Sequence, residues 1–164
     1  MTNLRDHHLE TTRAIRAELS DLLDGMDYCL DWKAEPTEWC VREVVYHLLG
    51  TPPGGIHSVV QGILSGELTE YELWADQSNI TPDRQAKDMT GLREDIDVLF
   101  HGLEQALDSA TDDDLSGKPV VAHIRSRGID EERNVDVLLE RGFAGHWREH
   151  LNQIVELRAS LGLS

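Results

Sequence analysis

The chain has 164 residues and a formal net charge of −16, with 31 acidic side chains against 15 basic ones. A chain of this length can bury a full core without disulfides or metals as staples, so residues 1–164 are predicted to form a single domain. The negative charge repels phosphate backbones and no basic stripe interrupts it, which argues against nucleic acid as a partner. No run of about 18 apolar residues is present, so the sequence predicts no membrane span.

Apolar residues at helical spacing predict four long helices. The first begins after Asn3 or Thr2, either of which can cap it, and it ends within residues 24–36. Its buried face is predicted to contain Leu4, His8, Thr12, Ile15, Leu19, Leu22 and Met26. The second begins after Pro36, with Thr37 as the predicted N-cap. Its buried side chains are predicted to be Val41, Val44, Val45 and Leu48.

The second helix must break or kink at residues 50–55, because the two prolines there remove ladder hydrogen bonds. A short extra helix follows at residues 56–64, and further long helices are predicted at 82–110 and 134–161. Within the connection 112–133, a short stretch (residues 120–124) is compatible with a strand but has no predicted partner strand. These elements predict an all-α fold, a four-helix bundle with a short extra helix after helix two.

Cys29 and Cys40 are the two cysteines of the chain, too few for a disulfide framework. With no signal peptide at the amino terminus, we expect reduced thiols in a cytoplasmic protein. A bundle with an exposed helix face often dimerises, so a homodimer is expected.

The most informative pattern is the pair His146 and His150 in the last predicted helix. Positions four apart lie on one face of a helix, so both imidazoles can reach a single ion. Both also fall on the apolar seam of that helix, where a bound divalent metal is a common reason for two histidines. Hydrogen-bonded core histidines are the alternative.

A third ligand is needed, because a catalytic metal site usually has three protein ligands and an open position. His47 is the best candidate, since it lies near the end of the second helix, just before the Pro-Gly break. The alternative for His47 alone is a half-buried histidine hydrogen-bonded to a neighbour.

Two segments resemble signatures of the DinB/YfiT-like superfamily. The stretch from Trp39 through Glu43 to His47-Leu48 resembles its second-helix signature, and the stretch from His146 through His150 to Leu161-Gly162 resembles its fourth-helix signature. Over nearly the whole chain, the resemblance implies a four-helix bundle of DinB type with His47, His146 and His150 as its metal triad. The second-helix stretch is also similar to the N-terminal domain of mycothiol-dependent maleylpyruvate isomerases, although the chain has no sign of their second domain.

A rival motif overlaps the histidine pair, because residues 146–150 match the H-x-x-E-H pattern of inverzincin proteases, with Glu149 as general base. Those proteases take their third ligand from a glutamate far downstream on another helix. The one carboxylate after His150 is Glu156, on the same predicted helix. Glu149 is therefore interpreted as a solvated residue of the helix surface.

The other histidines have weaker patterns. We expect His8 in the core, with a supporting role beside the metal as the alternative. His7 and His101 are expected at the surface, and His57 and His123 in loops or at a pocket rim.

Three neutral imidazoles leave a metal dipositive and open, able to lower the pKa of a bound water or thiol or to polarise a carbonyl. The resemblance implies a metal-dependent thiol transferase, isomerase or hydrolase that acts on a small molecule, with a low-molecular-weight thiol as a candidate. Imidazole ligands favour zinc or nickel and accommodate iron or copper. Three readings stay open: this enzyme, a non-catalytic metal- or ligand-binding bundle or dimerising stress protein, and a vestigial triad.

Overall fold

Helices dominate the chain, and a small sheet joins them. The computed structural model describes residues 3–163. The helices are α1 (Leu4–Leu23), α2 (Val41–Leu49), α3 (Ile56–Ser65), α4 (Pro82–Gln85), α5 (Met89–Asp108), α6 (Asp112–Gly117), α7 (Val135–Val137) and α8 (His146–Ser160), with a π-helical segment at Leu138–Gly145. The strands are β1 (Glu70–Leu73), β2 (Val120–Ile124) and β3 (Ile129–Arg133).

The core lies between the long helices. Helix α1 packs against α5 and α8, α2 packs against α8 and α5, and α3 packs against α5. At its centre the ring of Trp147, which is fully buried, lies 5.3 Å from that of Phe100 and 5.1 Å from that of Phe143. No helix within residues 3–163 is both long enough and apolar enough to cross a membrane.

The prediction of an all-α four-helix bundle of DinB type is wrong, because the chain also forms a three-stranded mixed sheet. Strand β1 pairs in parallel with β2, and β2 pairs antiparallel with β3. Residues 120–124 therefore have two partner strands, and the predicted absence of a partner is also wrong. Helical periodicity missed β1 because it is short and pairs with a strand about fifty residues further along the chain.

Several helix ends differ from the predictions. The helix predicted at 82–110 is two helices, because the Asp88 side chain accepts from the Gly91 N–H and starts α5 afresh. Helix α2 begins at Val41 with Cys40 as its N-cap and not Thr37, and the Glu43 carboxylate accepts from the Cys40 N–H.

Other boundaries are as expected. Asn3 caps α1, with its side-chain oxygen 2.8 Å from the Asp6 nitrogen, whereas Thr2 lies outside the described residues. The break at residues 50–55 separates α2 from α3, as predicted.

The helix predicted at 134–161 is not a single α-helix, because its first half winds as the π-helical segment Leu138–Gly145. There the His146 N–H reaches back five residues to the Arg141 carbonyl. The buried stripe then runs through Phe143, Trp147 and Leu151, so that His146 and His150 lie half-buried at its border. The two histidines thus face the end of α2 beside the core centre, and His146 also borders a pocket.

Candidate metal centre

The three predicted ligands come together where the end of α2 meets the start of α8. His47 is in the last turn of α2 and is fully buried, while His146 opens α8 and His150 lies one turn further along. One ring nitrogen from each of the three histidines lies within 4.8 Å of the other two. The Nε2 atoms of His47 and His146 are 3.1 Å apart. Two nitrogens bound to one tetrahedral zinc ion at about 2.0–2.1 Å would lie about 3.3–3.4 Å apart, so this spacing suits a shared ion.

Each imidazole also has an anchor outside the cluster. Nδ1 of His47 is 2.6 Å from the Gln77 carbonyl oxygen, and Nδ1 of His150 is 2.8 Å from the Gln153 side-chain oxygen. The His146 ring hydrogen-bonds the backbone of Gly142. Oxygen acceptors require the Nδ1 atoms of His47 and His150 to carry protons, which leaves their Nε2 lone pairs free for a metal. Metal-bound histidines are held by such hydrogen bonds in most known sites.

Burial keeps the cluster in the form that binds metals. Burial lowers the pKa of His146 to about 4, with further lowering from the nearby His150 and His47. Burial also lowers the pKa of His47, opposed by its hydrogen bond to Gln77. Both imidazoles are therefore neutral at pH 7 and offer lone pairs and not protons to an ion.

Trp39 covers one side of the cluster. Its ring centroid is 4.8 Å from that of His47, and it stacks on His150 at 6.1 Å with an interplanar angle of 20°. Trp39 is the first residue of the second-helix motif, and its role here is to shield two of the three imidazoles from solvent.

His146 also contributes to the wall of a cavity of about 480 Å³. We call this cavity the arginine pocket, because Arg127, Arg133 and Arg141 also line it. Glu149 is exposed, as expected, and forms part of the same wall. The pocket gives a small molecule access to one of the three imidazoles.

Sequence reasoning missed the anchors. Gln153 follows His150 by three residues on the same helix, so spacing alone could have suggested it. Gln77 lies in the irregular segment after β1, and its position depends on Asn79, whose side-chain amide lies within 3.4 Å of the Tyr46 and His47 carbonyl oxygens. No spacing rule brings such a loop to the end of α2.

The remaining histidines lie away from this centre. His8 is buried, with Nε2 2.7 Å from an Asp136 oxygen, and His7 is exposed, with Nε2 2.6 Å from Glu140, both at the predicted depth. His7, His8 and Glu140 form a second group whose geometry could hold an ion. His101 is exposed, as predicted. His57 and His123 lie on α3 and β2, so the loop alternative is wrong for both, and a place at a pocket rim stays a prediction.

Comparison with known proteins adds no relative: no protein-family model matches the chain, and no curated protein or solved structure matches it. The resemblance to the DinB/YfiT-like superfamily therefore rests on the sequence motifs alone and stays a prediction. What the fold provides is a cluster of three histidines that could hold a metal ion.

Proposed function

We propose that this chain is a metal-dependent enzyme that acts on a small molecule at a centre formed by His47, His146 and His150. The observation that carries the proposal is the convergence of three imidazoles, each anchored from outside the cluster. Three imidazole donors with no carboxylate suit zinc, nickel, copper or iron, and among these we propose zinc or nickel.

The number of ligands favours catalysis over a purely structural role. Structural zinc sites are usually closed by four protein ligands, whereas catalytic sites keep one position open. Within residues 3–163, the group contains three ligands, and His146 borders a pocket large enough for a small molecule. When bound, the metal would supply Lewis acidity and lower the pKa of a water or thiol in its open position.

Residues around the cluster would orient the three imidazoles and shield the open coordination position of the metal. Gln77, Gln153 and the Gly142 backbone orient the imidazoles, and Trp39 excludes water from one side. Substrate enters from the arginine pocket.

A thiol at this centre would have to come from the substrate. Both cysteines are buried, and burial raises the pKa of the Cys40 thiol to about 11 and that of Cys29 above its usual range. Neither is poised as a nucleophile near neutral pH. The proposed reaction class is accordingly thiol transfer, isomerisation or hydrolysis of a small molecule, with a low-molecular-weight thiol as a candidate partner. A cytoplasmic location and a homodimer remain predictions.

The decisive experiment is elemental analysis of untagged protein purified without chelator, with the variants His47→Ala, His146→Ala and His150→Ala. His101→Ala is the matched control, because His101 is exposed on α5. We expect about one equivalent of a transition metal in the wild type and the control, and strong loss in each triad variant. Full metal content in His47→Ala would show that the triad assignment is wrong.

An activity assay distinguishes the proposed enzyme from a non-catalytic metal-binding protein. Metal-loaded and chelator-treated protein are compared on a panel of thiol adducts and hydrolysable esters. The proposal expects turnover that requires the metal and is lost in His146→Ala. One equivalent of bound metal without turnover on any of these substrates would favour the non-catalytic metal-binding alternative.

A further inference from the structure

The arginine pocket has the size and the walls of a small-molecule site. Its volume of about 480 Å³ lies within the range typical of ligand pockets. Strands β1 and β2 and the start of the π-helical segment supply an apolar wall formed by Leu73, Ile124 and Leu138. His146 of the candidate metal centre lies in another wall.

Three arginines in one pocket are unusual in a chain with 15 basic residues and a net charge of −16. Arg133 is the most informative, because only 9% of its side chain is exposed. Its Nη2 is 2.8 Å from Glu131, its Nη1 is 3.1 Å from the Tyr71 hydroxyl, and its buried Nε has no partner within the described residues. A buried guanidinium is costly unless its hydrogen-bonding capacity is met.

The carboxylates around the pocket leave part of the donor capacity of these arginines unused. Glu131 is shared, since its second oxygen lies 2.8 Å from Nη1 of Arg141. Glu140 also lines the pocket, but its carboxylate is 2.6 Å from Nε2 of His7. Two guanidiniums thus share one carboxylate, and each keeps N–H donors that a ligand carboxylate could accept from.

Gly142 of the π-helical segment places the Arg133 guanidinium beside the candidate metal centre. A Cβ added at Gly142 would lie 3.6 Å from Nη1 of Arg133, so the guanidinium lies against Gly142. The backbone of the same residue hydrogen-bonds His146. Gly142 therefore lies between Arg133 and His146, so a group bound at Arg133 would lie close to a predicted metal ligand. π-Helical segments often occur at functional sites.

We propose that the arginine pocket binds a small carboxylic acid, with its carboxylate held by Arg133 and Arg141 and its apolar part against Leu73, Ile124 and Leu138. Guanidinium groups match carboxylate geometry well. A monoanion fits better than a phosphate dianion, because Glu131, Glu140 and Glu149 reduce the positive potential around the arginines. The role of this ligand as substrate rests on the proposed function, whereas its binding does not.

The test uses phenylacetate as the probe and phenylacetamide as its neutral counterpart of nearly the same shape. Binding to chelator-treated full-length protein is followed by calorimetry and by amide chemical shifts. We expect phenylacetate to bind, and phenylacetamide to bind at least about tenfold more weakly. Equal affinities, or no binding of phenylacetate, would overturn the proposal. Tighter binding of phenyl phosphate than of phenylacetate would overturn the choice of a carboxylate.

Variants locate the site. Arg133→Gln and Arg141→Gln are each expected to weaken phenylacetate binding at least about tenfold. Arg141 is 66% exposed, so its variant stays informative even where the buried Arg133→Gln fails to fold. Arg125→Gln is the matched control, because Arg125 pairs with Glu72 and is not part of the pocket wall. Unchanged affinity in Arg141→Gln, or equal losses in Arg125→Gln, would contradict the assignment.

The two proposals can fail separately. Phenylacetate binding in a protein that takes up no metal would support the carboxylate site and contradict the proposed enzyme. Metal uptake without selective phenylacetate binding would support the metal centre and contradict the carboxylate site.

Discussion

Asn79 shows how one residue can position the imidazole of a proposed metal ligand, His47, while contacting only the backbone of that ligand. Its amide nitrogen lies 3.4 Å from the Tyr46 carbonyl oxygen, 3.3 Å from that of His47 and 3.2 Å from the Thr51 hydroxyl. Its φ of 61° is left-handed, a conformation that asparagine tolerates better than most residues. These contacts hold the segment containing Gln77 against the end of α2, so that the Gln77 carbonyl meets His47.

We therefore expect Asn79→Ala to weaken metal binding about tenfold or more, as loss of an orienting contact does in known metal sites. It should also lower the free energy of unfolding by about 1–3 kcal/mol, through the lost hydrogen bonds and the left-handed backbone. Zinc affinity by competition with a chelating dye and unfolding in urea measure the two effects.

Asn79→Gly is the matched control for that prediction, because glycine accepts the left-handed backbone but lacks the amide. It should recover part of the stability and none of the metal affinity. Wild-type zinc affinity in both variants would show that Asn79 does not position His47.

At the scale of elements, Arg42 joins three parts of the chain that the sequence separates. Its side chain is 6% exposed, and it donates to both oxygens of Asp31 and to the carbonyls of Arg84 and Lys87. It thus links the start of α2 to the α1–α2 connection and to the junction between α4 and α5. That junction follows directly on the segment that carries Gln77 and Asn79.

We expect Arg42→Gln to lower the free energy of unfolding by about 2–4 kcal/mol, because several buried polar contacts lose their partner. Asp31→Asn should cost less, since Asp31 is 56% exposed and the Arg42 contacts to Arg84 and Lys87 remain. Urea unfolding at pH 7 compares the two. Equal and small losses in the two variants would show that the contacts of Arg42 contribute little to stability.

The same pair gives a pH dependence with a definite sign. The hydrogen bond from Arg42 lowers the pKa of Asp31 below its usual value of 3.8. A lowered carboxyl pKa contributes stability that is present above the unfolded-state pKa and is lost as the pH falls through the folded-state pKa. The stability difference between wild type and Arg42→Gln should therefore be constant above about pH 5 and shrink below about pH 4.

The sequence predicts those elements whose own residues determine them, and it misses those that form only through contacts with distant parts of the chain. Helix α1 follows from its own apolar spacing and its Asn3 cap. Strand β3 could not be recognised, because Ile-Asp-Glu-Glu-Arg has no apolar alternation and forms only by pairing with β2. The π-helical segment was hidden too, since its apolar spacing also fits an α-helix.

The candidate site also has one part that the sequence could predict and one part that it could not. His146 and His150 could be paired from spacing within one helix, and His47 from its place before the break. The arginine pocket was beyond sequence reasoning, because its residues come from all three strands, the turn between β2 and β3, the π-helical segment and the starts of α3 and α8. No local pattern encodes how these elements pack.

At the scale of the whole molecule, a bound metal would be a cross-link between distant parts of the chain. His47 and His146 are 99 residues apart in sequence, and they connect α2 to α8 beside the core centre. The unfolded chain does not hold three imidazoles together, so metal binding adds almost its full free energy to the folded state.

We expect zinc at about one hundred times its dissociation constant to stabilise the fold by about 2.7 kcal/mol. For a chain of this size, about 2–4 °C per kcal/mol gives a rise in Tm of about 5–11 °C over chelator-treated protein. Calorimetry of the wild type, His150→Ala and His101→Ala measures it. The rise should vanish in His150→Ala and persist in His101→Ala, because only the first loses an imidazole from the cluster. An equal rise in both variants would mean that zinc acts elsewhere, and the group formed by His7, His8 and Glu140 would be the next to substitute.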